Sequence, residues 1–133
     1  MGGGALRALL DTHAAVFLWE GRGEVFGPRS RALLERAELL LSPLVRLELS
    51  FLREVGKITL EPESLVGGLV ADYGVALSRE PLDALVPRAV PLTWTRDPFD
   101  RLLVAHAQLR GWRLATADEA MLAHLPEAGR FEL

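Results

Sequence analysis

Three short apolar runs, each closing on an acid or a hydroxyl, do most to limit what this chain can fold into. Leu6 to Leu10 gives way to Asp11 and Thr12, Glu38 to Ser42 ends on Ser42, and Trp112 to Thr116 ends on Thr116. Such runs are too short for core helices and lack the polar alternation of a one-sided strand. They read as strands buried on both faces.

The intervening pattern is helical. "HAAVFLWE" is a helix stopped by "GRGEVFG", and Arg29 to Ala37 forms another. Ser42 as N-cap and Pro43 at the first helical position open "PLVRLELSFLREVG", which ends at Gly56 as its C′ glycine. "KITL" reads as a brief extended piece, and "PESLVGGLVADYG" as a helix weakened by Gly67 and Gly68. The proline-rich stretch 75–94 predicts short elements, a small strand near Val75 and a helix after Pro81. A very apolar helix opens at "DPFD", and the chain closes on "FEL". Short strands alternating with helices predict an α/β fold, a short parallel β-sheet flanked by α-helices on both faces.

With 133 residues, half of them hydrophobic, the chain is expected to form a single domain over 1–133, with residues 1–5 as a flexible glycine-rich tail. No apolar run approaches the roughly 20 residues of a membrane helix. The start has no apolar stretch followed by a small-residue cleavage site, so no membrane and no secretion are expected. The absence of cysteine removes disulfides and thiolate metal sites and fits a reducing, cytoplasmic setting. A net charge of −3 gives no basic surplus for indiscriminate nucleic-acid binding. Every basic residue except Lys57 is nevertheless arginine, the side chain suited to bidentate phosphate contacts.

The acids carry the chemistry. In open parallel sheets, ligands sit outside the carboxyl ends of the strands. Asp11 follows the first strand directly, Asp118 lies just past Thr116, and Asp100 is in the first turn of the helix before that strand. Glu48 interrupts an apolar helix between Leu47 and Leu49. Taken singly, the aspartates also read as turn or cap residues, and Glu48 as a solvated one. Taken together, the fold converges them on one rim. Like charges about 4 Å apart repel by roughly 4 kcal/mol at an effective dielectric near 20. Such a cluster stays ionised only around a cation. Oxygen donors without cysteine favour Mg²⁺ or Mn²⁺, which points to metal-dependent phosphodiester hydrolysis.

The motifs "LLDTHAAVFLW", "LSPLVRLEL", "RDPFDRLLVAHA" and "LATADEAM" together resemble the PIN-domain family, and within it the VapC-type toxins of type II toxin–antitoxin pairs. The resemblance runs from about residue 6 to the end, and "DPFDRLL" with T-x-D about sixteen residues later is its most specific part. It implies a Mg²⁺- or Mn²⁺-dependent endoribonuclease that hydrolyses RNA, acts as a homodimer and is silenced by a small antitoxin in its groove. The family's acidic quartet falls on Asp11, Glu48, Asp100 and Asp118, and its accompanying hydroxyls on Thr12 and Thr116. Asp97 lies outside the quartet and suits an N-cap before Pro98.

His106 stands where glutamine is frequent and, six residues past Asp100, points away from it; a core-edge or interface role is expected. His13 is a candidate for substrate contact rather than a ligand. Trp19, Trp94 and Trp112 are expected in the core or a dimer interface.

A catalytically silent PIN module that binds protein or RNA is the alternative, although no acid of the quartet is missing. A phosphatase of the haloacid-dehalogenase type wants a second aspartate where His13 stands and a suitable lysine. A receiver domain fails on similar grounds.

Overall fold

The apolar runs do form strands, and the polar residues that close them start the helices. The computed structural model describes residues 6–21, 27–126 and 129–132. The glycine-rich start and most of "GRGEVFG" lie outside the described residues. In chain order the elements are β1 (Arg7–Leu10), α1 (Thr12–Trp19), α2 (Pro28–Arg36), β2 (Glu38–Leu41), α3 (Pro43–Glu54) and α4 (Pro62–Tyr73). Then follow β3 (Ala76–Leu77), α5 (Leu82–Ala89), α6 (Pro98–Arg110), β4 (Arg113–Thr116), α7 (Glu119–His124) and β5 (Arg130–Glu132).

The five strands are parallel, in the order β3-β2-β1-β4-β5. From β1 the chain builds outward through β2 to β3. It then returns to the opposite side of β1 with β4. The strand order therefore reverses between β1 and β4, and a crevice opens there at the carboxyl ends.

Leu9, Leu10, Leu41 and Leu114 are fully buried in the sheet. Val45 and Leu49 of α3, Leu65 and Leu69 of α4, and Leu103 and Val104 of α6 join the same core. Each fully buried leucine or valine contributes about 1.5–3 kcal/mol through apolar burial.

The ends of α3 follow from its sequence. Ser42 Oγ accepts from the Leu44 amide at 3.1 Å, with Pro43 inside the first turn. At the other end Gly56 adopts φ +78°, which a side chain would resist. The Gly56 amide donates to Arg53 O at 3.0 Å and the Lys57 amide to Leu52 O at 2.8 Å, a complete Schellman pair. The stretch "KITL", read as a brief extended piece, joins no sheet. Lys57 and Ile58 both direct their amides back to Leu52 O.

The two glycines of α4 also differ from their expected role. Gly67 faces open space, whereas a Cβ on Gly68 would lie 2.0 Å from the Trp19 ring. Gly68 is a seat for the indole, not merely a weak point in the helix.

His106 is a core residue. It is 1% exposed, and neither ring nitrogen has a hydrogen-bond partner among the described residues. Its ring meets Trp112 at 5.6 Å, and burial pushes its pKa down, so it sits neutral in α6. All three tryptophans pack, partly buried, against the core.

Candidate active site

The crevice between β1 and β4 gathers the acids singled out in the sequence. Asp11 leaves β1 and caps α1, with Oδ1 accepting from the Ala14 amide at 2.7 Å. Its other oxygen accepts from the Thr116 hydroxyl, at the end of β4. Thr116 Oγ1 in turn accepts from the Asp118 amide at 3.0 Å, and Asp118 caps α7 through the Met121 amide at 3.0 Å. One buried threonine thus ties the ends of two adjacent strands to two acids.

A second threonine does the same across the helices. Thr12 Oγ1 donates to Glu48 Oε1 at 2.5 Å, joining the first turn of α1 to α3. Glu48 therefore turns inward, half-buried, and not to solvent.

Asp97 is the N-cap of α6, accepting from the amides of Phe99 at 2.8 Å and Asp100 at 3.4 Å. The Arg101 guanidinium holds the preceding loop by donating to Thr95 O at 2.8 Å. Asp100 is left with its carboxylate turned toward the other acids.

Electrostatics show how closely these groups crowd. The Asp100 pKa is pushed up to about 7, first by burial and then by Asp97, Glu48, Asp118 and Asp11 in that order. Glu48 is raised by burial, by Asp97 and by Asp11, against the opposing Thr12 hydrogen bond. Asp11 is raised chiefly by burial, with its two hydrogen bonds and His13 pulling the other way. Asp118 is exposed, at the mouth of the crevice.

All four expected acids share this rim. Asp97 does more than the capping read from the sequence, because among the neighbouring charges it raises the Asp100 pKa most. His13 is exposed on α1, next to Thr12 and close enough to influence both Asp11 and Glu48.

Three of the acids at this rim, Asp11, Asp97 and Asp118, cap helices, so helix N-termini offset part of the negative charge. Among the described residues no three acids are drawn together into a finished metal cage. The Ala14 amide and the Thr116 and Thr12 hydroxyls each donate a hydrogen bond to the Asp11 or Glu48 carboxylate. Each carboxylate retains unshared lone pairs, since an ionised carboxyl offers about four acceptor sites. This open, all-oxygen donor set fits a hard divalent cation that keeps several waters and takes one or two carboxylates directly.

Residues 8–127 match the family model described as the PIN domain. The chain belongs to the PIN-domain family. A relative in Mycobacterium tuberculosis (strain ATCC 25618 / H37Rv), Ribonuclease VapC22, is 30% identical over 118 residues, covering 87% of this chain and 90% of that protein. Among solved structures, VapBC2 from Rickettsia felis bound to a DNA fragment from its promoter superposes with a TM-score of 0.64. That match covers 91% of this PIN domain and 94% of the other chain at 15% identity, so it speaks for the fold. The crevice of this PIN domain, at the switch point of its sheet, is where the family's acidic quartet was expected. No helix among the described residues is long and apolar enough to cross a membrane.

Proposed function

We propose that this PIN domain is a Mg²⁺- or Mn²⁺-dependent endoribonuclease of the VapC type, the toxin of a toxin–antitoxin pair acting in the cytoplasm. The observation that carries the reading is that burial, and then the charges of Asp97, Glu48, Asp118 and Asp11, push the pKa of the Asp100 carboxyl up to about 7, which leaves the site short of positive charge. When bound, a divalent cation supplies Lewis-acid polarisation of a phosphodiester and a water of lowered pKa.

Asp11, Glu48, Asp100 and Asp118 are the residues proposed to hold that cation. Thr12 and Thr116 orient the carboxylates of Glu48 and Asp11 through the hydrogen bonds described above. A carboxylate of the quartet that the cation leaves free would orient the attacking water or accept its proton. The sequence relationship to a named ribonuclease supports RNA as the substrate.

The test is cleavage of a panel of structured and single-stranded RNAs by the purified protein. Cutting is expected with Mn²⁺ or Mg²⁺, lost on adding chelator and restored by excess metal. Cutting that persists in chelator would remove the metal from the mechanism. Co-expression of a small protein encoded beside this chain is expected to suppress cleavage, as an antitoxin would.

A homodimer is proposed on separate grounds. Leu47, Phe51 and Val55 recur every fourth residue along α3, and Leu82, Val86 and Val90 do so along α5 and its cap. These six apolar side chains are each 46–62% exposed, a pair of stripes that water covers poorly. Phe51→Glu is expected to convert a dimer to a monomer in light scattering. A wild-type monomer at micromolar concentration would rule the dimer out.

A further inference from the structure

Beside the acidic rim lies a second concavity that the cleavage chemistry does not use. It measures about 330 Å³ and runs along one face of α1, past His13, Phe17 and Glu20, to Lys57, Thr59 and Leu60 after α3. Its upper end lies beside the candidate active site, since His13 on its wall directly follows Thr12 in α1. Its lower end is marked by Lys57, the single lysine of the chain.

Lys57 is held there by the backbone. The Schellman turn fixes its amide on Leu52 O at 2.8 Å, so the residue is positioned without help from its side chain. Among the described residues the ammonium has no ion-pair partner. An unpaired cation anchored by its backbone next to a nuclease site is suited to a phosphate.

Distance decides which phosphate. From Glu48 to the end of α3 is on the order of 10 Å at 1.5 Å per residue, so Lys57 reaches a flanking group and not the bond being cut. Size decides what enters the cavity. At about 330 Å³ it is at the small end of ligand sites, roughly 300–1,000 Å³, with room for a base but not for a peptide helix. Phe17 and Leu60 give it an apolar floor. Glu20, the one acid on the wall, repels a phosphate and leaves the interior to the uncharged base.

We propose that this cavity is a substrate subsite that takes one unpaired nucleotide of the RNA, its base against Phe17 and its phosphate on Lys57. The proposal rests on the ribonuclease reading. A base inside a duplex cannot enter such a cavity, so the subsite selects single-stranded or looped RNA. It also explains how a chain of net charge −3 can hold RNA at all: by a few fixed contacts, not by a basic surface.

The test is fluorescence anisotropy with a single-stranded oligoribonucleotide that the wild type cuts, bound in Mn²⁺ by protein carrying Asp100→Asn. Adding Lys57→Glu is expected to raise Kd on the order of tenfold. The slope of log affinity against log salt should fall by about 0.7, the loss of one phosphate contact on a single strand. Lys57→Arg should retain both. Arg36→Glu, an equal charge change at the far end of α2, should alter neither by a comparable amount. Thr59→Trp, which fills the cavity from an exposed position, should weaken binding, and removing the flanking base should then cost nothing further.

If Lys57→Glu and Arg36→Glu behave alike, or the salt slope is unchanged, the subsite is overturned. If Lys57→Glu spares RNA and impairs only capture of the small partner protein, the cavity belongs to protein docking and the proposal also falls. Failure of the parent reading is visible separately, as a wild type that cuts no RNA.

Discussion

Asp100→Asn is expected to lower the RNA cleavage rate constant by on the order of 100- to 1,000-fold, the usual effect of removing one preorganised electrostatic group. The fold should survive, because the Asp97 cap, the Pro98 turn and the buried Leu103 and Val104 behind it are untouched. The same change has an opposite effect on stability in metal-free protein. A carboxyl with its pKa raised to about 7 holds its proton more tightly folded than unfolded, where it titrates near 4. Wild-type stability therefore declines as pH rises from about 4 to about 7, and the lost portion stays lost above that. Removing the charge should raise Tm above pH 7 and leave it near wild type below pH 4. Thermal melts across that range, with circular dichroism to check the fold, measure it. Solvent screening at a half-exposed group keeps the gain modest. An Asn variant that cuts as fast as wild type would show that Asp100 is not in the mechanism.

The second large effect concerns two neighbouring glycines. Gly68→Ala drives a methyl into the Trp19 ring, with three ring atoms within 2.7 Å of the built Cβ. Overpacking of this kind costs about 1–3 kcal/mol, and Tm should fall on the order of 5–10 °C. Gly67→Ala meets nothing within 4 Å, and should stabilise α4 by roughly 0.5–1 kcal/mol through helix propensity. Adjacent and chemically identical substitutions should therefore have opposite signs. With Trp19→Leu already present, Gly68→Ala should cost little more, since the two residues act on one contact. Equal responses at both glycines would mean that Trp19 does not occupy the seat described.

These cases mark how far the amino-acid sequence reaches. The strands were legible because five-residue apolar runs closed by polar residues have few other uses, and β1, β2 and β4 lie within those runs. The position of each acid was legible from a local rule, although singly each also read as a cap, a turn or a solvated residue. Asp11 and Asp118 follow strand ends, Asp100 opens a helix, and Glu48 breaks an apolar face. The seat under Trp19 was not legible, because residues 19 and 68 meet only through the packing of α1 on α4. The cap of α3 by Lys57 and Ile58, which direct their amides to Leu52 O, was not legible beyond the glycine at position 56. Asp97 was readable as a cap, but its pressure on Asp100 depends on distances that no spacing rule supplies. His106 was expected at the core edge or in an interface. Its full burial, with its ring against Trp112, depends on tertiary packing that helical spacing does not supply.

The central claim is that Asp11, Glu48, Asp100 and Asp118 share a divalent cation, and calorimetric titration of Mn²⁺ into metal-free protein at pH 6.5 tests it most directly. Repeating the titration in buffers of different ionisation enthalpy counts the protons released. Wild type should take up the ion and expel a proton, because Asp100 is partly protonated at that pH and must ionise to bind. Asp100→Asn should bind at least about tenfold more weakly and release correspondingly less. Equal affinity and equal proton release by the two proteins would place the cation away from these carboxylates and contradict the claim.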